Sequence, residues 1–257
     1  MKPVEQWISF CTIFRKEIRR FMRIWVQTLL PPAITMALYF VIFGTLIGSR
    51  IGEMGGFTYM QFVVPGLIMM SVLTNSYSNV VSSFYSAKFQ HSIEELQVSP
   101  TPNYVILLGY MLGGVARGLA VGFIVTLLSL FFTSLEIHSL AITVSIVILT
   151  SVVFALAGFI NAVFANSFDD ISIVPTFVLT PLTYLGGVFY SINMLPEFWQ
   201  GVSKLNPILY MVNVFRYGVL GVSDIDVAWA FAGVGVFVVV LFSVCLYLLN
   251  SGTRLRA

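Results

Sequence analysis

Few residues in this sequence could do chemistry, and those few are scattered. His91, Glu94 and Glu95 lie within one short polar stretch, and imidazole and carboxylate groups together could begin a metal site. Only one further histidine, His138, is present, and it falls on the other face of the protein. The ligand count is short, so no metal site is expected and the three residues read as a solvated helix face. Asp169 and Asp170 are adjacent in a short turn, where solvation and turn formation account for them without chemistry. Arg117 interrupts an apolar run. A charge inside a membrane is costly enough to be a functional candidate by default, with snorkelling or local pairing as the milder explanation. No H-E-x-x-H, G-x-S-x-G or G-x-x-x-x-G-K-[ST] pattern occurs, so zinc hydrolysis, nucleophile-elbow chemistry and a P-loop ATPase all lack their residues. No catalytic residue is assigned, and any dependence on ATP must come from another chain.

The elements that would position these residues are set by hydropathy. The chain has 257 residues, of which 58% are hydrophobic and 9% charged, and its mean hydropathy is +0.94. Soluble domains carry about 25% charged residues, so water is not the main solvent. Repeated charge-free runs are long enough to cross a bilayer. They predict an all-α polytopic membrane protein with spans at 24–48, 57–87, 104–133, 140–165, 171–190 and 227–249. A basic amphipathic helix at 4–23 precedes the first span and leaves no cleavable signal peptide. Pro31 and Pro32 interrupt span one, which is tolerated where neighbours re-satisfy the freed backbone groups. A polar loop at 88–103, with Ser99-Pro100-Thr101-Pro102, turns the chain back. Between spans five and six, 195–221 holds two short helices, each opened by proline, with Asn206 a natural N-cap. They are too short to cross and are expected to lie on, or dip into, one face. The two cysteines, Cys11 and Cys245, sit at opposite ends of the chain and read as small apolar residues.

Six crossings put both termini on one side. That side receives Lys2, Arg15, Lys16, Arg19, Arg20, Arg23, Lys88, Arg254 and Arg256, against Arg50, Lys204 and Arg216 on the other. The positive-inside bias therefore places both termini in the cytoplasm. Trp7, Cys11, Phe14, Ile18, Phe21 and Trp25 form one stripe of the first helix, opposite Arg15, Lys16, Arg19 and Arg23. Such a helix lies at the interface, as an anchor, as a docking surface for an acidic cytoplasmic partner, or as both. In span three, Gly114, Gly118 and Gly122, with Gly109 and Gly113 one turn below, permit close helix packing within one chain or between two copies.

Gly186-Gly187-Val188-Phe189-Tyr190, then Met194-Leu195-Pro196, then Leu205-Asn206-Pro207 with Arg216 ten residues after Asn206, resembles the C-terminal signature of type-2 ABC exporter permeases. The resemblance extends over nearly the whole chain. It implies that two such permeases pair in the inner (plasma) membrane among its lipids, and that two copies of a cytoplasmic ABC ATPase dock beneath them. ATP and Mg would be bound by those partner subunits and no cofactor by this chain. No nucleic acid partner is expected. By the same resemblance, Arg15, Lys16, Arg19 and Arg20 of the first helix and His91, Glu94 and Glu95 of the loop helix would grip the ATPase and convey its closure. The path between the two copies could use Asn75, Tyr77 and Asn79 of span two and Thr176, Thr180 and Tyr184 of span five, residues that interhelical hydrogen bonding explains equally well. Gly187, Pro196, Asn206, Pro207 and Arg216 form the outer signature, and Phe177, Phe189, Tyr190 and Phe198 add aromatic surface near it.

Two other classes stay open on the residues alone. A membrane-embedded enzyme acting on lipids would place convergent ionisable residues at the spans, where only Arg117, Asp169 and Asp170 are available. An ion-coupled carrier would need intramembrane carboxylates or unwound helices and would work without nucleotide. A path of aliphatic, aromatic, Ser, Thr and Asn side chains suits many amphiphiles, so the substrate is not specified.

Overall fold

The computed structural model describes residues 1–252, apart from the side chains of Thr45 and Ser49; Arg254 and Arg256 lie outside the described residues. The chain is almost entirely helical. Helix α1 (Pro3–Arg23) turns at Ile24 into a single-turn α2 (Trp25–Thr28), breaks again at Leu29, and continues as α3 (Leu30–Val41), a π-helical stretch Ile42–Ile47 and α4 (Gly48–Ile51). Pro31 and Pro32 fall in the first turn of α3, where missing N–H groups cost that helix least.

A hairpin of two-residue strands, β1 (Glu53–Met54) and β2 (Phe57–Thr58), is a small insertion in the otherwise all-α chain. Gly55 and Gly56 both take positive φ, as the tight two-residue turn demands. Thr58 then caps α5 (Tyr59–Phe89) in a reciprocal box with Gln61. At 31 residues, α5 is roughly 46 Å long. It is the axis of the bundle, buried along most of its length and packed mainly on α7 (Asn103–Ser129) and α8 (Leu140–Phe164). A short α6 (Ser92–Val98) sits between α5 and α7.

The segment expected as span five, 171–190, is helical over a shorter stretch. It comprises α9 (Asp170–Val174), a π-helical stretch Pro175–Leu179 and α10 (Thr180–Leu185), and beyond Leu185 the chain turns. The turn places Val188 against Gly66 of α5, at a distance no side chain on residue 66 would allow. Two short helices follow, α11 (Glu197–Lys204) and α12 (Pro207–Leu220), then α13 (Val227–Ser251). Four helices among the described residues are long and apolar enough to cross a membrane: Trp25–Gly44, Asn103–Ser129, Leu140–Phe164 and Val227–Ser251. Asp170–Leu185 and Pro207–Leu220 are shorter apolar helices.

Hydrogen bonds fix which ends of the helices meet. Tyr104, at the start of α7, donates to Gln6 of α1, and Asn103 beside it donates to Asn250 of α13. Lys88, at the end of α5, donates to the carbonyls of Val163 and Ala165 where α8 finishes, a basic group set on helix C-terminal oxygens. The amino-terminal helix, the loop around α6 and the end of α13 therefore share one end of the bundle. At the opposite end His138 and Ser139 donate to carbonyls of α12.

Candidate functional site

Helix α1 presents two different faces. Arg15, Lys16, Arg19 and Arg23 are exposed, whereas Ile13, Glu17 and Phe21, each one turn apart, are buried against the bundle. The stripe from Trp7 to Trp25 does not pack as one unit: Phe21 is buried, while Trp7 and Trp25 are exposed. Arg20 departs from the other basic residues of the helix. It turns inward, donating to both the carbonyl and the side-chain oxygen of Asn79 at 2.9 and 2.8 Å, and pairs with Glu17 at 3.5 Å. Glu17 in turn accepts the Ser83 hydroxyl at 2.6 Å.

In the loop, α6 starts after His91, whose positive φ bends the chain. His91 faces Glu94 at 3.2 Å while Glu95 is exposed, so these groups contact one another or solvent. Among the described residues no cluster of three metal-ligating side chains exists.

The polar residues expected on span two divide by environment. Asn75, Asn79 and Ser83, at four-residue spacing, form a buried ladder along α5 that is gripped from outside by Arg117, Arg20 and Glu17 in that order. Arg117 donates to Asn75 at 3.1 Å and also to the carbonyl of Thr28 at 3.3 Å. The charge inside span three is thus paired locally. Tyr77 is buried on another side of α5. In span five, by contrast, Thr176, Thr180 and Tyr184 stand exposed one turn apart in a single column, with Phe177 beside them. At the end of that column Tyr39, Phe43 and Tyr184 surround Phe189, with ring centroids 4.8 to 6.4 Å from it.

The glycines of span three face neighbours within the same chain. Gly109 and Gly113 lie against Ile13 and Glu17 of α1, and Gly114, Gly118 and Gly122 against Val80, Ser76 and Val72 of α5. Small residues on two faces let α7 approach both helices at once.

The outer signature is a structural knot. Asn206 accepts from the amide of Ile208 to cap α12 and donates to the Leu182 carbonyl of α10. Pro207 opens α12 and Pro196 immediately precedes α11. The fully buried Arg216 donates to the Gly187 carbonyl at 2.7 Å and to that of Phe62 at 3.3 Å, its guanidinium 3.9 Å from the Phe62 ring centre. Gly187 supplies that carbonyl from a left-handed conformation. Two acids in these networks escape a reading of the sequence. Glu17 lies among basic residues, and only its four-residue spacing from Ile13 and Phe21 signals burial. Asp224 accepts from the Ser191 hydroxyl, the Ile192 amide and the Asn193 side chain; no sequence spacing marks that cluster. Asp170 opens α9 at the polar turn that precedes the apolar run from Ile171, and hydrogen bonds from the Asn166 amide and from Ser167 hold its carboxyl below the usual carboxylate range.

The model of the ABC-2 type transporter family matches residues 8–220 of this chain. Inner membrane transport permease YadH of Escherichia coli K12 is 61% identical over 251 residues, covering 98% of each chain. The same-named protein of Shigella flexneri matches equally well. Nodulation protein J of Rhizobium leguminosarum bv. trifolii is 21% identical over 236 residues, covering 91% of this chain and 90% of its own. With a family match across most of its length and a 61% identical permease aligned over 98% of each chain, the chain belongs to the ABC-2 type transporter family.

Proposed function

We propose that this chain is the permease subunit of an ATP-driven exporter of the inner membrane, working as a pair of permeases above two copies of a cytoplasmic ABC ATPase. The observation that carries the reading is the composition of one end of the bundle. There α1 begins, carrying exposed Arg15, Lys16 and Arg19, and there the polar loop helix carries His91, Glu94 and Glu95, charged groups of both signs available for docking on a chain without nucleotide-binding motifs of its own. Family membership and the 61% identical permease support the same conclusion.

In this reading the chain crosses six times, α5 and the span formed by α9 and α10 completing the set, and both termini are cytoplasmic. The first helix lies in the lipid interface with Trp7, Ile8 and Trp25 toward the lipid. ATP and Mg bind the partner ATPase, and its closure pushes α1 and α6. The substrate path runs between the two permeases along Thr176, Thr180 and Tyr184, ending at the aromatic cluster around Phe189. Asn75, Tyr77 and Asn79 are buried within a single chain, so they would contact substrate only if the helices around α5 parted.

Affinity purification of the tagged chain in mild detergent, with mass spectrometry and an ATPase assay, tests this. A stoichiometric P-loop ATPase whose hydrolysis depends on the permease is the expected result. A chain that purifies alone and retains transport without nucleotide overturns the reading in favour of an ion-coupled carrier.

A further inference from the structure

We propose that Arg117 is a positioning residue of the transport cycle: it pins a proline-made elbow in span one to α5 and so defines the hinge through which α1 moves the membrane part of that span. The inference rests on reading α1 as the helix that the ATPase pushes.

The chemistry begins with Pro32. A helical N–H bonds the carbonyl four residues earlier, and Pro32 has no N–H, so the carbonyl of Thr28 loses its intrahelical partner. A backbone carbonyl left bare in a nonpolar surrounding is costly. Arg117 Nη2 donates to that oxygen at 3.3 Å. The same nitrogen donates to Asn75 at 3.1 Å, so one guanidinium ties the break in span one to the central helix. On the cytoplasmic side of the elbow Arg20 makes the equivalent tie, to Asn79 one turn along α5. Between the two ties lies the interruption at Ile24, with φ −112° and ψ 35°, and directly after the second tie lies that at Leu29, with φ −108° and ψ −35°.

Space is available for movement. A cavity of about 260 Å³, lined by Pro31, Pro32, Met36, Tyr39, Ser71 and Asn75, lies beside the break. Helix α3 can close into it only by changing its angle to α2, and Arg117 sets that angle at rest. Sharp helix bends arise at prolines and where side chains enter the backbone ladder, and both causes are present here.

The test exploits the reason for the contact. In a chain lacking Cys11 and Cys245, spin labels are placed on exposed Ile8 and Leu38, and distances are measured in nanodiscs with excess unlabelled chain. Wild type gives one narrow distribution, and Arg117→Met broadens it and lowers the Tm by roughly 2–8 °C. Pro32→Ala restores an N–H to bond Thr28, so Pro32→Ala/Arg117→Met returns to a narrow distribution and regains most of the lost Tm. If Arg117→Met does not accumulate, the double variant is expected to do so. An unchanged distribution in Arg117→Met, or no suppression by Pro32→Ala, overturns the proposal. Neither readout involves an ATPase, so its failure is distinguishable from failure of the exporter reading.

Discussion

Replacing Glu17 with alanine removes the acid at the centre of the contact between α1 and α5. Its side chain is fully buried, accepts the Ser83 hydroxyl at 2.6 Å and stands 3.5 Å from Arg20. Removing one partner of a fully buried pair costs about 3–5 kcal/mol. Arg20, however, keeps two acceptors on Asn79 and is 27% exposed, so most of the charge penalty is screened. What is left is one charge-assisted hydrogen bond and a bare Ser83 hydroxyl, roughly 1–3 kcal/mol. At about 2–4 °C per kcal/mol for a chain of this size, the Tm falls by roughly 2–12 °C. Thermal unfolding followed by tryptophan fluorescence in detergent measures this, with Arg15→Ala and Arg19→Ala as exposed controls expected to change stability by no more than about 0.5 kcal/mol. Glu17→Gln keeps an acceptor for Ser83 and falls between. If Glu17→Ala unfolds at the same temperature as Arg19→Ala, the inward face of α1 is misassigned.

A Cβ on residue 118 would collide with the Ser76 hydroxyl and press on the Val72 carbonyl, so Gly118→Val costs about 1–3 kcal/mol, read as a lower Tm. Gly233 of α13 has open space around it, and Gly233→Ala gains up to roughly 1 kcal/mol from helix propensity; equal effects of the two substitutions would deny the close approach of α7 to α5. Arg216→Met strips the Gly187 and Phe62 carbonyls of their donor and lowers stability by roughly 1.5–3 kcal/mol, whereas Arg50→Met at an exposed position is nearly silent in the same melt. Asp170 titrates in NMR with a midpoint below the ordinary value of about 3.9. Because its folded pKa is depressed, its contribution to the turn is complete above the unfolded pKa and disappears as pH falls through the folded one; a midpoint at or above 3.9 refutes the hydrogen bonds from Asn166 and Ser167.

Hydropathy alone established the solvent of this protein and its helical class, because a bilayer admits few backbone solutions and charge-free runs have little other use. The amphipathic first helix, the N-cap at Asn206 and the proline-opened short helices were equally local, each decided by residues within one or two turns. Partners distant in sequence were not legible. Glu17 and Arg20 belong by composition to a solvated basic surface, and they turn inward because Asn79 and Ser83, some sixty residues later, offer hydrogen bonds there. Glycine spacing in span three promised close packing but not with which helix; the tertiary structure assigns two faces to α1 and α5 because residues one position apart on a helix point in different directions. The helix at Asp170–Leu185 ends earlier than its hydropathy suggests for a similar reason. Its apolar sequence runs on past Leu185, but the carbonyl of Gly187 is held by Arg216 and Val188 fits only against Gly66. Sequence fixes a segment's solvent and local conformation through short-range sterics and burial, whereas the partner of each buried polar group depends on how all the helices pack.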